Sequence, residues 1–117
     1  MGCGTEEFVT KLAEGSPEVE AVYRDHISYQ GELLPHVLMG DITRLVISAA
    51  AAGECPEWLV SLLEQLDAGL VLGVPAVAEL IGVSFVENLC GEDRAITVLR
   101  PKMGLALRRE LRMICGV

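Results

Sequence analysis

The chain has 117 residues, of which 51% are hydrophobic, with a formal net charge of −8 and a mean hydropathy of +0.43. This composition predicts one folded domain over residues 1–117, because disordered chains combine low hydrophobicity with high charge. The negative charge disfavours nucleic-acid binding, which depends on Lys and Arg side chains that neutralise phosphates.

The predicted elements follow from helix-capping signals along the chain. Ser16-Pro17-Glu18 combines a capping hydroxyl, proline at the first helical position and an acidic side chain at the positive helix end. Pro35, Pro56 and Pro75 mark further starts, each followed by apolar residues at helical spacing. The predicted helices cover residues 5–14, 16–30, 35–52, 56 to 69 or 73, 75–91 and 103–114.

We therefore predict an all-α fold, a compact bundle of five to six helices with antiparallel neighbours, forming a single domain. Residues 93–99 are the least certain stretch, since AITVL within it fits either a short strand or the opening of the last helix.

The acidic charge is concentrated in the body of the chain. Residues 1–99 contain sixteen acidic and four basic side chains, whereas residues 100–117 contain five basic and one acidic. An acidic body complements a basic partner. The basic end either binds anions or follows the helix dipole, which favours cations at a C-terminal end.

Two features bear on the compartment. Residues 68–86 form a run of 19 residues with one charge, but Pro75, several glycines and the lack of flanking basic residues argue against a membrane span. The first residues lack the basic and apolar regions of a secretion signal. We expect a cytoplasmic protein whose cysteines, at positions 3, 55, 90 and 115, are reduced and mostly buried.

The sequence contains no recognised catalytic or metal-binding pattern. The two histidines are ten residues apart, and neither paired cysteines nor a HExxH motif is present, so no metal and no cofactor are predicted. A GxSxG turn and a phosphate-binding glycine loop are also missing. We assign no catalytic residue, and the sequence favours a protein that is not an enzyme.

Residues 32–44 carry the most information. In a helix that begins at Pro35, His36 and Gly40 share one face, and Asp41 and Arg44 can pair at a spacing of three residues. Gly40 leaves a notch that either a neighbouring helix fills or a partner or ligand approaches.

Three blocks together resemble a known family: residues 31–44 (GELLPHVLMGDITR), 83–89 (VSFVENL) and 99–108 (LRPKMGLALR). They resemble a family of small uncharacterised bacterial proteins, in part similar to the immunity proteins of polymorphic toxin systems. The resemblance implies no established activity and favours protein binding modestly.

These observations predict a module that binds a basic protein, with candidate partner or ligand-binding residues His36, Asp41, Arg44, Glu87 and Asn88. One alternative is a small-molecule binder or enzyme, with a pocket in which His36 is the acid–base group and Arg44 holds an anion beside Asp41. Another is a structural homodimer, which the apolar excess of the composition favours.

Overall fold

The computed structural model describes residues 4–117, and every regular element in this range is helical. The prediction of an all-α fold is therefore confirmed. In chain order the elements are α1 (Gly4–Glu14), α2 (Pro17–Gln30), α3 (Pro35–Ala51), α4 (Glu57–Leu72), α5 (Pro75–Ile81), a π-helical turn (Gly82–Val86), α6 (Glu87–Leu89), α7 (Asp93–Leu99), a 3₁₀ turn (Arg100–Lys102) and α8 (Leu105–Cys115).

Helix α2 shows how closely the local signals fix the boundaries. The Ser16 hydroxyl accepts a hydrogen bond from the Val19 N–H at 3.2 Å, as a capping side chain does. At the other end Gly31 has φ +80, a left-handed conformation that favours glycine, and its N–H donates to the Ile27 carbonyl. Residues 16–30 were the predicted range.

Three predictions for the chain beyond residue 75 need correction, and the described chain has more helices than the five to six predicted. Residues 75–89 are one helical run with a π turn in its middle, whereas residues 93–99 form a separate helix, neither a strand nor the opening of the last one. The last helix begins at Leu105 instead of residue 103, because the Met103 backbone is extended. The Asp67 carboxylate of α4 accepts the Leu107 N–H at 2.8 Å and thereby satisfies an amide of the first turn of α8.

Helix α3 is the central element of the bundle, since α1, α2, α5, the π turn, α6 and α7 all pack against it. The apolar residues that follow Pro35 at helical spacing are buried, among them Leu38, Ile42 and Val46. Arg94 of α7 donates from Nε to the Ala51 carbonyl at 2.5 Å, which satisfies an acceptor at the C-terminal end of α3.

No helix within residues 4–117 is both long and apolar enough to cross a membrane. The apolar run at residues 68–86 is divided between α4 and α5 by Gly73, whose φ of +80 ends the first of the two helices.

The cysteines depart from the sequence-based expectation. Cys90, just after α6, and Cys115, at the end of α8, form a disulfide, so the prediction of reduced cysteines is wrong for this pair. Cys55 is a free, partly buried thiol.

Candidate functional site

His26 joins the end of α2 to the beginning of α3. Its ring is buried, with 3% of the residue exposed, and Nε2 accepts a hydrogen bond from the Leu34 N–H at 2.9 Å. Leu34 is the residue that caps α3, so the histidine fixes the connection between the two helices. Because Nε2 is an acceptor here, the neutral ring carries its proton on Nδ1.

The Nδ1 atom of His26 is a buried donor without a hydrogen-bond partner among the described residues. The nearest carboxylate oxygen is Oδ2 of Asp41, at 3.8 Å, which is too far for a hydrogen bond. Asp41 is held instead by Arg44, whose guanidinium pairs with Oδ1. The predicted Asp41–Arg44 pair is therefore present, with the Arg44 side chain 73% exposed and that of Asp41 28%.

A cavity of about 590 Å³ opens between the second half of α2 and this part of α3. Its polar lining comes from Asp25, His26, Ser28, Tyr29, Gln30 and Asp41. The lining holds two carboxylates and no Lys or Arg, and Tyr29 is 87% exposed at its edge. A site of this composition favours a ligand that is cationic and that can stack on an aromatic ring.

Three of the five predicted candidates lie elsewhere, on or beside the π turn. His36 Nδ1 and Ser84 Oγ share a hydrogen bond at 2.6 Å, and Asn88 donates to the Ser84 carbonyl at 2.8 Å. The single hydrogen of the buried Thr43 hydroxyl is shared between the Met39 carbonyl, at 2.7 Å, and the same Ser84 carbonyl, at 3.0 Å. Glu87 is exposed on α6. His36 on α3 thus joins the π turn to α3, whereas Asn88 bonds within the helical run that contains the turn. Of His36, Asp41 and Arg44, which were expected to line one pocket, only Asp41 lines the cavity.

The notch at Gly40 is open. A Cβ atom built on Gly40 would meet no atom within 4 Å, so no neighbouring helix fills the space. The interpretation in which another helix occupies the notch is wrong for the described chain.

The remaining chemistry is sparse. Within residues 4–117 no group of three or more His, Cys, Asp or Glu side chains is placed to hold a metal ion. Burial raises the pKa of the Cys55 thiol above its ordinary value, with the Lys102 charge acting in the opposite direction. A raised pKa lowers the thiolate fraction at neutral pH and makes this thiol a poor nucleophile.

Sequence reasoning found Asp41 but missed His26. Helical spacing places His26 on the same face of α2 as Val19 and Val22, where a buried histidine is an ordinary core residue. The sequence contains one signal for this site, a polar histidine ring on the buried face of α2 shortly before that helix ends at Gly31. Its meeting with Asp41 depends on how α2 packs on α3.

Comparisons with known proteins identify the family. A family model described as a domain of unknown function, DUF7674, matches residues 9–115, and the chain belongs to that family. Neither the curated proteins nor the solved structures gave a match.

Proposed function

We propose that this chain is a binding module for a basic protein, which docks on the face formed by the second half of α2 and the first half of α3. This α2–α3 face is defined by Asp25, Tyr29 and Asp41, together with His26 beneath them. The resemblance to immunity proteins of toxin systems belongs to this proposal, since a basic toxin-like effector is a partner that an acidic surface complements.

The observation that carries the proposal is the acidic cavity with Tyr29 exposed at its edge. Tyrosine is enriched among the residues that contribute most to protein–protein binding, because it combines a large apolar surface with a hydroxyl at small entropic cost. A tyrosine that is 87% exposed contributes little to the folded core, so its free ring supports a role in binding. The body of the chain supplies the long-range attraction, with sixteen acidic against four basic side chains in residues 1–99.

The test begins with affinity capture from the native host, with the wild-type chain as bait and the captured protein identified by mass spectrometry. The partner is then purified and its Kd measured by calorimetry for wild type, Tyr29→Ala and Val71→Ala. Val71 is a matched control because it is also exposed, at 71%, but lies on α4. We expect Tyr29→Ala to weaken binding by about thirtyfold, with unchanged circular dichroism. An equal effect of the two variants would refute the α2–α3 face as the binding surface.

Self-association is the second candidate. Leu105 and Met113 are 68% and 72% exposed on α8, and Arg109 is exposed on the same helix. Exposed apolar side chains on one helix favour a contact between two copies of the chain. Light scattering at tens of micromolar distinguishes the two proposals, because a monomeric mass would refute this one.

A further inference from the structure

We propose that the cavity of the α2–α3 face holds the guanidinium group of an arginine side chain of the partner, and that Arg44 pairs with Asp41 when the partner is absent. This inference rests on the proposed function and names the chemical group that the same site recognises.

The first step of the argument is the charge of the cavity. Asp25 and Asp41 contribute two carboxylates, no Lys or Arg lines the cavity, and the exposed Tyr29 ring lies beside them. A guanidinium is planar, pairs with a carboxylate through two parallel hydrogen bonds and stacks on aromatic rings. A lysine ammonium provides neither the fork nor the stacking surface.

The second step is the unsatisfied donor. The Nδ1 of His26 is buried, has no partner among the described residues and lies 3.8 Å from Oδ2 of Asp41. A small rotation of the Asp41 carboxylate would close this gap, but the Arg44 guanidinium holds the opposite oxygen. The buried histidine therefore favours a second position of Asp41, in which the carboxylate accepts a hydrogen bond from Nδ1–H of His26 while a cation in the cavity replaces Arg44.

The third step is the weakness of the bond that must break. The Arg44 side chain is 73% exposed, and exposed ion pairs are weak because water screens them and long side chains lose conformational freedom. A guanidinium that enters the cavity is less exposed and meets Asp25 as well as Asp41. Arg44 thus competes with the partner for Asp41, and removal of Arg44 has the opposite effect from removal of Asp41.

The experiment uses the full chain and N-acetyl-arginine amide as the probe, with N-acetyl-lysine amide beside it. Binding is followed by NMR through the backbone amides of Tyr29 and Leu34, since the Leu34 N–H is bonded to His26. We expect the arginine probe to bind about two- to fivefold more tightly to Arg44→Gln than to wild type.

The acidic variants test the other side of the competition. Asp41→Asn should lose roughly tenfold or more in affinity for the arginine probe, since a charge-assisted bond is lost, and Asp25→Asn should also weaken it. Asp25 is exposed and gives a result even if Asp41→Asn folds poorly. Glu64→Gln on α4 removes the same charge from an exposed position outside the cavity lining and should leave the affinity unchanged.

The outcomes separate this inference from the proposed function. The inference would be overturned if Arg44→Gln bound the arginine probe more weakly than wild type does. It would also be overturned if the lysine probe bound as tightly as the arginine probe, or if no variant bound the arginine probe. A purified basic partner that binds wild type, Asp41→Asn and Arg44→Gln equally would also overturn it, while leaving the binding module intact. If the host contains no basic partner, the proposed function fails. The arginine probe still decides whether the cavity binds a guanidinium group.

Discussion

Replacing Gly40 by alanine is expected to stabilise the protein, although the glycine lies in the middle of the central helix. Alanine favours a helix interior over glycine by about 1 kcal/mol, because glycine loses more backbone freedom on folding. A Cβ atom at this position meets nothing within 4 Å, and the backbone does not have a positive φ. No steric term therefore opposes the gain, and we expect an increase of about 1 kcal/mol in the free energy of unfolding.

The same substitution at Gly104 provides a control with the opposite sign. A Cβ there would lie 2.3 Å from the carboxyl carbon of Asp67, the residue that accepts the Leu107 N–H. The carboxylate must move away, and the loss of a helix-capping bond costs about 1 kcal/mol. Gly104→Ala should therefore lower the free energy of unfolding.

Both variants are measured by thermal and urea unfolding, followed by circular dichroism. An unfolding entropy of about 2.1 cal/mol/K per residue converts 1 kcal/mol into roughly 4 °C for a chain of this length. A lower midpoint for Gly40→Ala would refute the reasoning, because it would mean that another group approaches the notch closely. If Gly40→Ala is more stable but binds the partner less tightly, the notch belongs to the interface.

Three further predictions concern the covalent and polar contacts of the fold. Replacing Cys115 by serine opens the loop to Cys90, and the separation of 25 residues predicts that the free energy of unfolding falls by about 3.5 kcal/mol through loop entropy. Urea unfolding of wild type and variant without reductant measures this loss, and an unchanged midpoint would mean that the disulfide does not form. Asp67→Ala should cost about 1 kcal/mol through the lost bond to the Leu107 N–H, with Asp67→Asn closer to wild type in the same assay. Since burial raises the pKa of Cys55, its alkylation by iodoacetamide should reach half its maximal rate at a higher pH than that of N-acetylcysteine; a lower pH would contradict the assigned environment.

The boundaries of the long helices could be predicted because local chemistry determines them. A capping hydroxyl at Ser16, prolines at the first turns of α2, α3 and α5 and a left-handed glycine at Gly31 act within a few residues of the sequence. Such signals keep their meaning whatever the remainder of the chain does, so the all-α class followed from them, whereas the number of helices did not.

Helix α7 could not be predicted in the same way, because its contacts are long-range. Its sequence contains the β-branched residues Ile96, Thr97 and Val98, which favour strands as much as helices. Tertiary contacts decide the outcome, since Ala95, Ile96 and Leu99 are buried and Arg94 bonds the end of α3. The disulfide was missed for a related reason, because the ends of α6 and α8 meet only after the bundle has formed.

The candidate site combines both kinds of information. The sequence identified Asp41 and Arg44 through their spacing on one helix, whereas the meeting of Asp41 with His26 requires the packing of α2 on α3. Residues 36–44 therefore present two faces of α3, one that bonds the π turn through His36 and one that lines the cavity through Asp41. His36 holds the π turn through Ser84, so its substitution should first reduce stability.

The division between these faces gives the binding proposal a clear physical basis. Arg44 is exposed and Asp41 partly exposed, and their pair contributes little to folding because exposed ion pairs are weak. The His26 bond to Leu34, in contrast, fixes the connection between α2 and α3 from inside the protein. The site thus has a rigid base that is independent of Arg44. A pair that contributes little to stability can be exchanged for a partner's charge at small cost, so changes at Arg44 should alter affinity without altering the fold.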